Sequence, residues 1–258
     1  MSTTSHDDLV VNQYDSRATA YLGSAVHASG PDLKRIAEVL GPFQRPEATA
    51  LDVGCGGGHL SFLLAGLMDK VVACDLSQPM LQTVLAEADR RGLRNVATKQ
   101  VAAEDLAFAP DSFDVVATRY SAHHWRRWRA GLQSMRRVLR PDGLAVFADV
   151  VAPEESLLDT WLQSLELLRD PSHVRNASLR EWKQGMAESG FDVVDTTSFR
   201  LRLEFASWIE RMRTPPAHVA AIRSLQQLAS AEVADYFALE EDGSFTVDTA
   251  VIVARRQH

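Results

Sequence analysis

The 258-residue chain is short of several things, and each shortage removes a class of function. Its two cysteines, Cys55 and Cys74, are too few for the disulfide framework of a secreted domain, and neither sits at metal-ligand spacing. No apolar run approaches the ~20 residues that a membrane-crossing helix requires. The opening MSTTSHDDLV has neither the basic region nor the apolar stretch of a signal peptide. Cationic excess is missing too: 27 lysines and arginines against 34 aspartates and glutamates leave a formal charge of -7. That is the wrong sign for sequence-independent binding to nucleic acid or to an anionic membrane surface. Internal repeats and low-complexity segments are absent. The expectation is a cytoplasmic protein with no stable membrane association, no nucleic-acid partner and no metal, open to homodimer formation.

What is there is an apolar share of 46%, ample for a core at this length. Short apolar runs at 48–53, 70–75, 95–102, 113–120 and 144–151 alternate with amphipathic stretches at 59–66, 77–91 and 126–139. The second stretch has a serine N-cap (Ser77), a proline in its first turn and Gly92 just past its end, the punctuation of a helix. Such alternation predicts an α/β fold whose parallel sheet is covered on both faces. Strands at 191–199 and 245–255, the second hairpin-like, bring the number of strands to seven. The whole of 1–258 reads as a single domain. Helical segments at 14–40, 154–176 and 205–238 have no place in a bare sheet and are expected to form a cap over one end. Residues 1–12 read as loose, and the arginines at 126–140 as the solvated side of a helix.

The stretch A-L-D-V-G-C-G-G-G-H-L-S at 50–61 is the chemical focus. A glycine-rich turn from a first strand into a helix lets backbone N–H groups approach a ligand without Cβ obstruction. In open parallel sheets ligands bind beyond the carboxyl ends of the strands, where the winding reverses. A dinucleotide fingerprint is G-x-G-x-x-G. Gly54 and Gly56 supply its first two positions, but His59 stands at the third. Asp52 lies inside the strand, where a purely structural sheet takes an apolar side chain, and so needs partners such as an ammonium. Asp75 ends the second strand, where a carboxylate accepts ribose hydroxyls. An amino-acid end, a ribose and an adenine in one ligand account for both carboxylates. S-adenosylmethionine is such a ligand, and it has no pyrophosphate to demand the missing glycine.

L-D-V-G-C-G-G-G resembles the first motif of the class I S-adenosylmethionine-dependent methyltransferases, and A-C-D-L-S their second-strand acidic motif. A-E-D-L-A-F-A-P-D-S-F-D-V-V is similar to a signature of the ubiquinone/menaquinone-biosynthesis-like branch. R-Y-S-A-H-H-W, V-L-R-P-D-G, R-D-P-S-H-V-R and S-A-V-H-A-S-G-P-D-L extend the likeness to a bacterial small-molecule subgroup, over nearly the whole chain from about residue 14. The resemblance implies a Rossmann-like, seven-stranded, mostly parallel sheet with its last strand antiparallel, in which Asp52 and the backbone of Gly54, Cys55 and Gly56 hold the methionine moiety. It implies that Asp75 binds the ribose, that Leu76, Met80, Ala103 and Glu104 border the adenine, and that Arg119 lies near the methionine end. Ala102 stands where many relatives carry an aspartate, with Glu104 or Asp105 as the substitute.

The implied reaction moves a methyl group to an O, N, S or C atom of a small organic molecule. Alignment of the acceptor is the main requirement, with a general base only if the acceptor must lose a proton. His124 and His123, following the fourth strand, are the candidates for that base. Tyr14, Tyr21, Asp149, Asp170 and His173 are candidate acceptor contacts. Trp161, Trp182 and Trp208 read as packing. Two alternatives remain open on these residues: a non-catalytic module that binds or senses S-adenosylmethionine, and a nicotinamide-dependent oxidoreductase.

Overall fold

The computed structural model describes residues 4–15 and 30–257. Its frame is a seven-stranded sheet of β1 (Thr49–Val53), β2 (Lys70–Asp75), β3 (Val96–Gln100), β4 (Phe113–Arg119), β5 (Leu139–Val150), β6 (Phe191–Leu203) and β7 (Phe245–Arg256). The spatial order is β3-β2-β1-β4-β5-β7-β6. All pairings from β3 to β5 are parallel, and β7 runs antiparallel between β5 and β6. The expected α/β sheet with a reversed last strand is what the chain forms. The winding reverses between β1 and β4, directly beside the glycine turn.

Side-chain alternation along the strands explains the two covered faces. Leu51, Val53, Val116, Ala145 and Phe147 meet Leu132, Met135 and Val138 of α5 (Trp128–Val138) and Trp182 and Met186 of α7 (Leu179–Glu188). Their strand neighbours Ala50, Val115, Ala117, Val146 and Ala148 face the other way. They pack on Ile36 and Leu40 of α2 (Pro31–Leu40) and on Leu60 and Leu64 of α3 (His59–Ala65). Residues 31–40, expected in the cap, are therefore a sheet-covering helix. Between β2 and β3 runs α4 (Gln78–Arg90), opened by the Ser77 cap, whose hydroxyl accepts from the Met80 N–H at 3.2 Å.

Several boundaries differ from the sequence reading for local reasons. Residues 6–12, expected to be loose, belong to α1 (His6–Asp15), a helix with no buried residue, held by polar contacts at its ends. β5 starts at Leu139 opposite Phe113; residues 140–143 are then passed over before pairing resumes at Leu144 opposite Val115. Within the arginine cluster, Arg136 and Arg137 donate to the carbonyls of Gly190 and Phe108, at 2.9 and 2.7 Å, and so tie α5 to its neighbours. α7 begins with a full capping box, Ser178 and Glu181 each satisfying the other's backbone N–H. Ser178→Ala is expected to lower stability by about 1 kcal/mol, read as a shift of the urea midpoint at constant m-value.

The segments expected outside the sheet build a third apolar cluster. α6 (Ser156–Arg169) contributes Leu158, Trp161, Leu162 and Leu165, and α8 (Phe205–Met212) contributes Phe205 and Trp208. Ile222 of α9 (Pro216–Gln227) and Val233 of α10 (Ala231–Tyr236) join Phe237, Phe245 and Val247. The 217–236 stretch, read as one helix, is two, interrupted at residues 228–230. Among the described residues, no helix is long and apolar enough to cross a membrane.

Candidate functional site

A cleft opens where β1, β2 and β4 end, with about 1460 Å³ of empty space, its mouth included. One half is lined by Asp52, Gly54 to Gly57, His59, Leu60, Asp75, Leu76, Val101, Ala103 and Glu104. The backbone explains why glycine is required at the turn. Gly54 has φ +69, and a Cβ there would lie 1.9 Å from the Ser121 hydroxyl oxygen. Gly56 has φ +48, with nothing within 4 Å of the position its Cβ would take, so the space above the turn is open. The Gly56 N–H donates to Asp75 Oδ2 at 2.9 Å, and the Ser77 N–H to Asp75 Oδ1 at 2.9 Å. Those bonds hold Asp75 at the tip of β2, while burial raises its carboxyl above the ordinary range.

Asp52 is 1% exposed, and its strand neighbours in register are Ala73 and Ala117, which leave room around it. Burial pushes its carboxyl up to about 7, against the opposing effect of Ser61, whose hydroxyl donates to Oδ2 at 2.6 Å. Oδ1 meets no hydrogen-bond partner among the described residues. A buried acceptor without a partner, on a residue lining an open cleft, is a place for a ligand's cation. Arg119, at the cleft's edge, donates from Nε to Asp32 Oδ2 at 2.5 Å and lies over the Tyr120 ring.

The other half is lined by Asp7, Val10 and Tyr14 of α1, by Ser121, His123, His124 and Trp125, and by Glu166, Arg169, Asn176, Leu203, Trp208 and Arg211. The turn Ala122–His124 carries both histidines, and the structure sets them apart. His123 Nδ1 lies 2.6 Å from Asp149 Oδ1. Burial opposes charge on this ring, but the Asp149 carboxylate outweighs it and raises the pKa above 6.5. His124 is held down to about 4, first by burial and then by its neighbour His123. Its Nδ1 faces the Ser172 carbonyl at 3.1 Å and its Nε2 the Tyr14 hydroxyl at 2.9 Å. That hydroxyl also reaches Asp170 Oδ2 at 3.0 Å.

Twelve of the sequence candidates line this cleft: Asp52, Gly54, Cys55, Gly56, Asp75, Leu76, Ala103, Glu104, Arg119, His123, His124 and Tyr14. Met80 does not: it is fully buried on the apolar stripe of α4 with Leu81 and Val84, so it packs beneath the site instead of lining it. Asp149 does not face the cleft either. Strand alternation turns it to the side of Phe147, where it buttresses His123. Asp170 is buried, and its Oδ1 accepts from Ser172 N–H and hydroxyl at 2.9 and 2.6 Å. His173, buried and pushed down to about 2 by desolvation and the nearby histidines, bonds Gln163 at 2.9 Å. Both support the turn instead of lining the cleft. Tyr21 lies outside the described residues. Ser61, Ser121, Asn176 and Arg169 are lining or supporting residues that sequence reasoning missed, because only the fold brings them to β1 and β4. Among the described residues, no group of three or more His, Cys, Asp or Glu is placed to hold a metal ion.

Residues 51–147 match a family model described as a methyltransferase domain. The chain is 45% identical to the uncharacterized protein YafE of Escherichia coli over 203 residues, which is 79% of this chain and 98% of that one. It is 33% identical to the uncharacterized methyltransferase YcgJ of Bacillus subtilis, over 88% of each chain. The crystal structure of YcgJ superposes with a TM-score of 0.84 at 31% identity, covering 88% of this chain and 99% of that one. That of a putative methyltransferase from Bacillus halodurans superposes with a TM-score of 0.83 at 28% identity, covering 89% and 100%.

Proposed function

The chain belongs to the class I S-adenosylmethionine-dependent methyltransferases, and from that premise we infer that it methylates a small organic acceptor with His123 as the general base. Its cofactor is S-adenosylmethionine. When bound, the cofactor supplies a methyl group on a cationic sulfur, already primed for attack. The observation that carries the reading is the pair of carboxylates flanking the glycine turn, one with a buried oxygen that meets no partner among the described residues. In this reading Asp52 takes the amino group, Asp75 the ribose hydroxyls, and Leu76, Ala103 and Glu104 the adenine edge. Arg119, tied to Asp32, closes the amino-acid end.

The acceptor presents its reacting atom in the half of the cleft beside His123. A proton released as the new bond forms passes to His123 Nε2, since Nδ1 is committed to Asp149. His124 has its Nε2 engaged by Tyr14, so it serves to position α1 across the opening. We place a cap over the cleft, built from α1, 154–176 and 205–238, which fits an acceptor small enough to be enclosed. Two free, buried cysteines suit a reduced cytoplasm. Incubation with labelled S-adenosylmethionine and a metabolite panel tests the reading. Transfer of label to one class of acceptor supports it, and binding without transfer to any acceptor returns the chain to a sensing role.

The pH dependence of cofactor binding is a sharper check on Asp52. Its carboxyl holds a proton up to about pH 7, and an arriving ammonium must expel it. Affinity is therefore expected to fall about tenfold for each pH unit below 7 and to level off above it, with proton release on binding. Calorimetry in two buffers of different ionisation enthalpy reads that proton. A flat affinity with no proton released removes Asp52 from the amino end.

A further inference from the structure

A second chamber lies beyond the Ala122–His124 turn. It is lined by Trp125, Trp128 and Trp182, and by His123, Asp149 and Asn176, with an exposed polar rim that includes Arg126 and Gln184. His123, Trp125, Val150 and Asn176 line both this chamber and the cleft, so the two meet at the proposed base. Three buried polar atoms on its lining residues have no hydrogen-bond partner among the described residues: Asp149 Oδ2, Asn176 Nδ2 and Trp182 Nε1. One is an acceptor and two are donors. Buried polar groups are nearly always satisfied, and three such atoms on residues lining one chamber call for an occupant that both donates and accepts.

The remaining wall is aromatic. Trp128 and Trp182 meet edge to face at 4.9 Å. Glycines make room for these indoles: a Cβ at Gly185 would fall 2.5 Å from Trp128, and one at Gly131 2.4 Å from Trp125. Water alone would meet the polar atoms but gives no reason for a chamber walled by three indoles. Indole faces and edges favour a flat π-system.

We propose that this chamber is the acceptor's ring subsite, and that the acceptor is a planar aromatic compound carrying hydroxyl or similar substituents. The ring packs against the indoles while its substituents donate to Asp149 Oδ2 and accept from Asn176 and Trp182. This placement brings a ring substituent to His123 at the junction with the cleft. It rests on the methyltransferase reading, because the demethylated cofactor must share the site.

The test is calorimetric titration of the full chain, saturated with the demethylated cofactor. The probes are catechol, 4-hydroxybenzoate, 2-naphthol and the saturated alcohol cyclohexanol. Saturable binding of at least one aromatic probe is expected, with none of cyclohexanol. The affinity should fall at least tenfold in Asn176→Ala and in Trp182→Phe, which keeps a ring but loses the N–H donor. Both variants should bind the demethylated cofactor within twofold of the parent, which shows that they fold. Absence of binding by all three aromatic probes, equal binding of cyclohexanol, or unchanged probe affinity in both variants overturns the subsite. Failure of the parent to bind the demethylated cofactor would instead overturn the cofactor assignment on which the subsite rests.

Discussion

His123→Ala is expected to lower kcat by roughly 10²–10⁴-fold while leaving cofactor affinity near that of the parent. The ring sits at the junction of cleft and chamber, and its Nδ1 is fixed by Asp149, so only Nε2 is available to the acceptor. As a base it must be neutral, and Asp149 raises its pKa above 6.5. Activity is therefore expected to climb with pH through a value above that of an ordinary histidine. Asp149→Asn removes the charge that holds the proton, so the rising limb should move to lower pH and kcat should fall, because the ring loses its orientation. A structural role for Asp149 would lower activity at every pH without moving the limb. An unchanged kcat in His123→Ala, at any pH, removes the base from the mechanism.

The other large effect is on the cofactor. Asp75→Ala is expected to weaken binding by about 3 kcal/mol, on the order of 100-fold, as ribose hydroxyls lose a charged acceptor. The same change frees the N–H groups of Gly56 and Ser77, so the turn itself loosens. Gly54→Ala acts on the same site by another route. The left-handed backbone resists a side chain, and the added Cβ drives into the Ser121 oxygen. Both variants should retain the thermal transition of a folded protein and fail to show saturable heat at concentrations that fill the parent. Parent-like affinity in Asp75→Ala places the ribose elsewhere.

Most of the sheet was legible because its signals are local. The apolar runs at 50–53 and 113–119, the Ser77 cap and the turn glycines each specify their own conformation. The carboxylates Asp52 and Asp75 followed from the same strand reading, whereas the reversal of β7, a long-range property, came from the family resemblance. What was not legible depended on which face a residue takes. Met80 lies close in sequence to Asp75, yet the i, i+1, i+4 spacing with Leu81 and Val84 puts it on the buried stripe of α4. Asp149 was assigned to the acceptor by its place at the strand end, whereas alternation along β5 turns it behind His123. α1 escaped notice because it buries nothing. Its helix is held by Tyr14 on His124 and Asp170, and by Asp15 on Ser77 at 2.5 Å, contacts that only the folded chain creates. The orphaned atoms of the second chamber likewise come from three separate segments, and no local pattern announces them.

The most direct measurement is a crystal structure with the demethylated cofactor bound. The account predicts ribose hydroxyls within hydrogen-bonding distance of Asp75, the amino group at Asp52 Oδ1, and the sulfur facing His123. A nucleoside lying away from the glycine turn, or a sulfur directed away from His123, would contradict it.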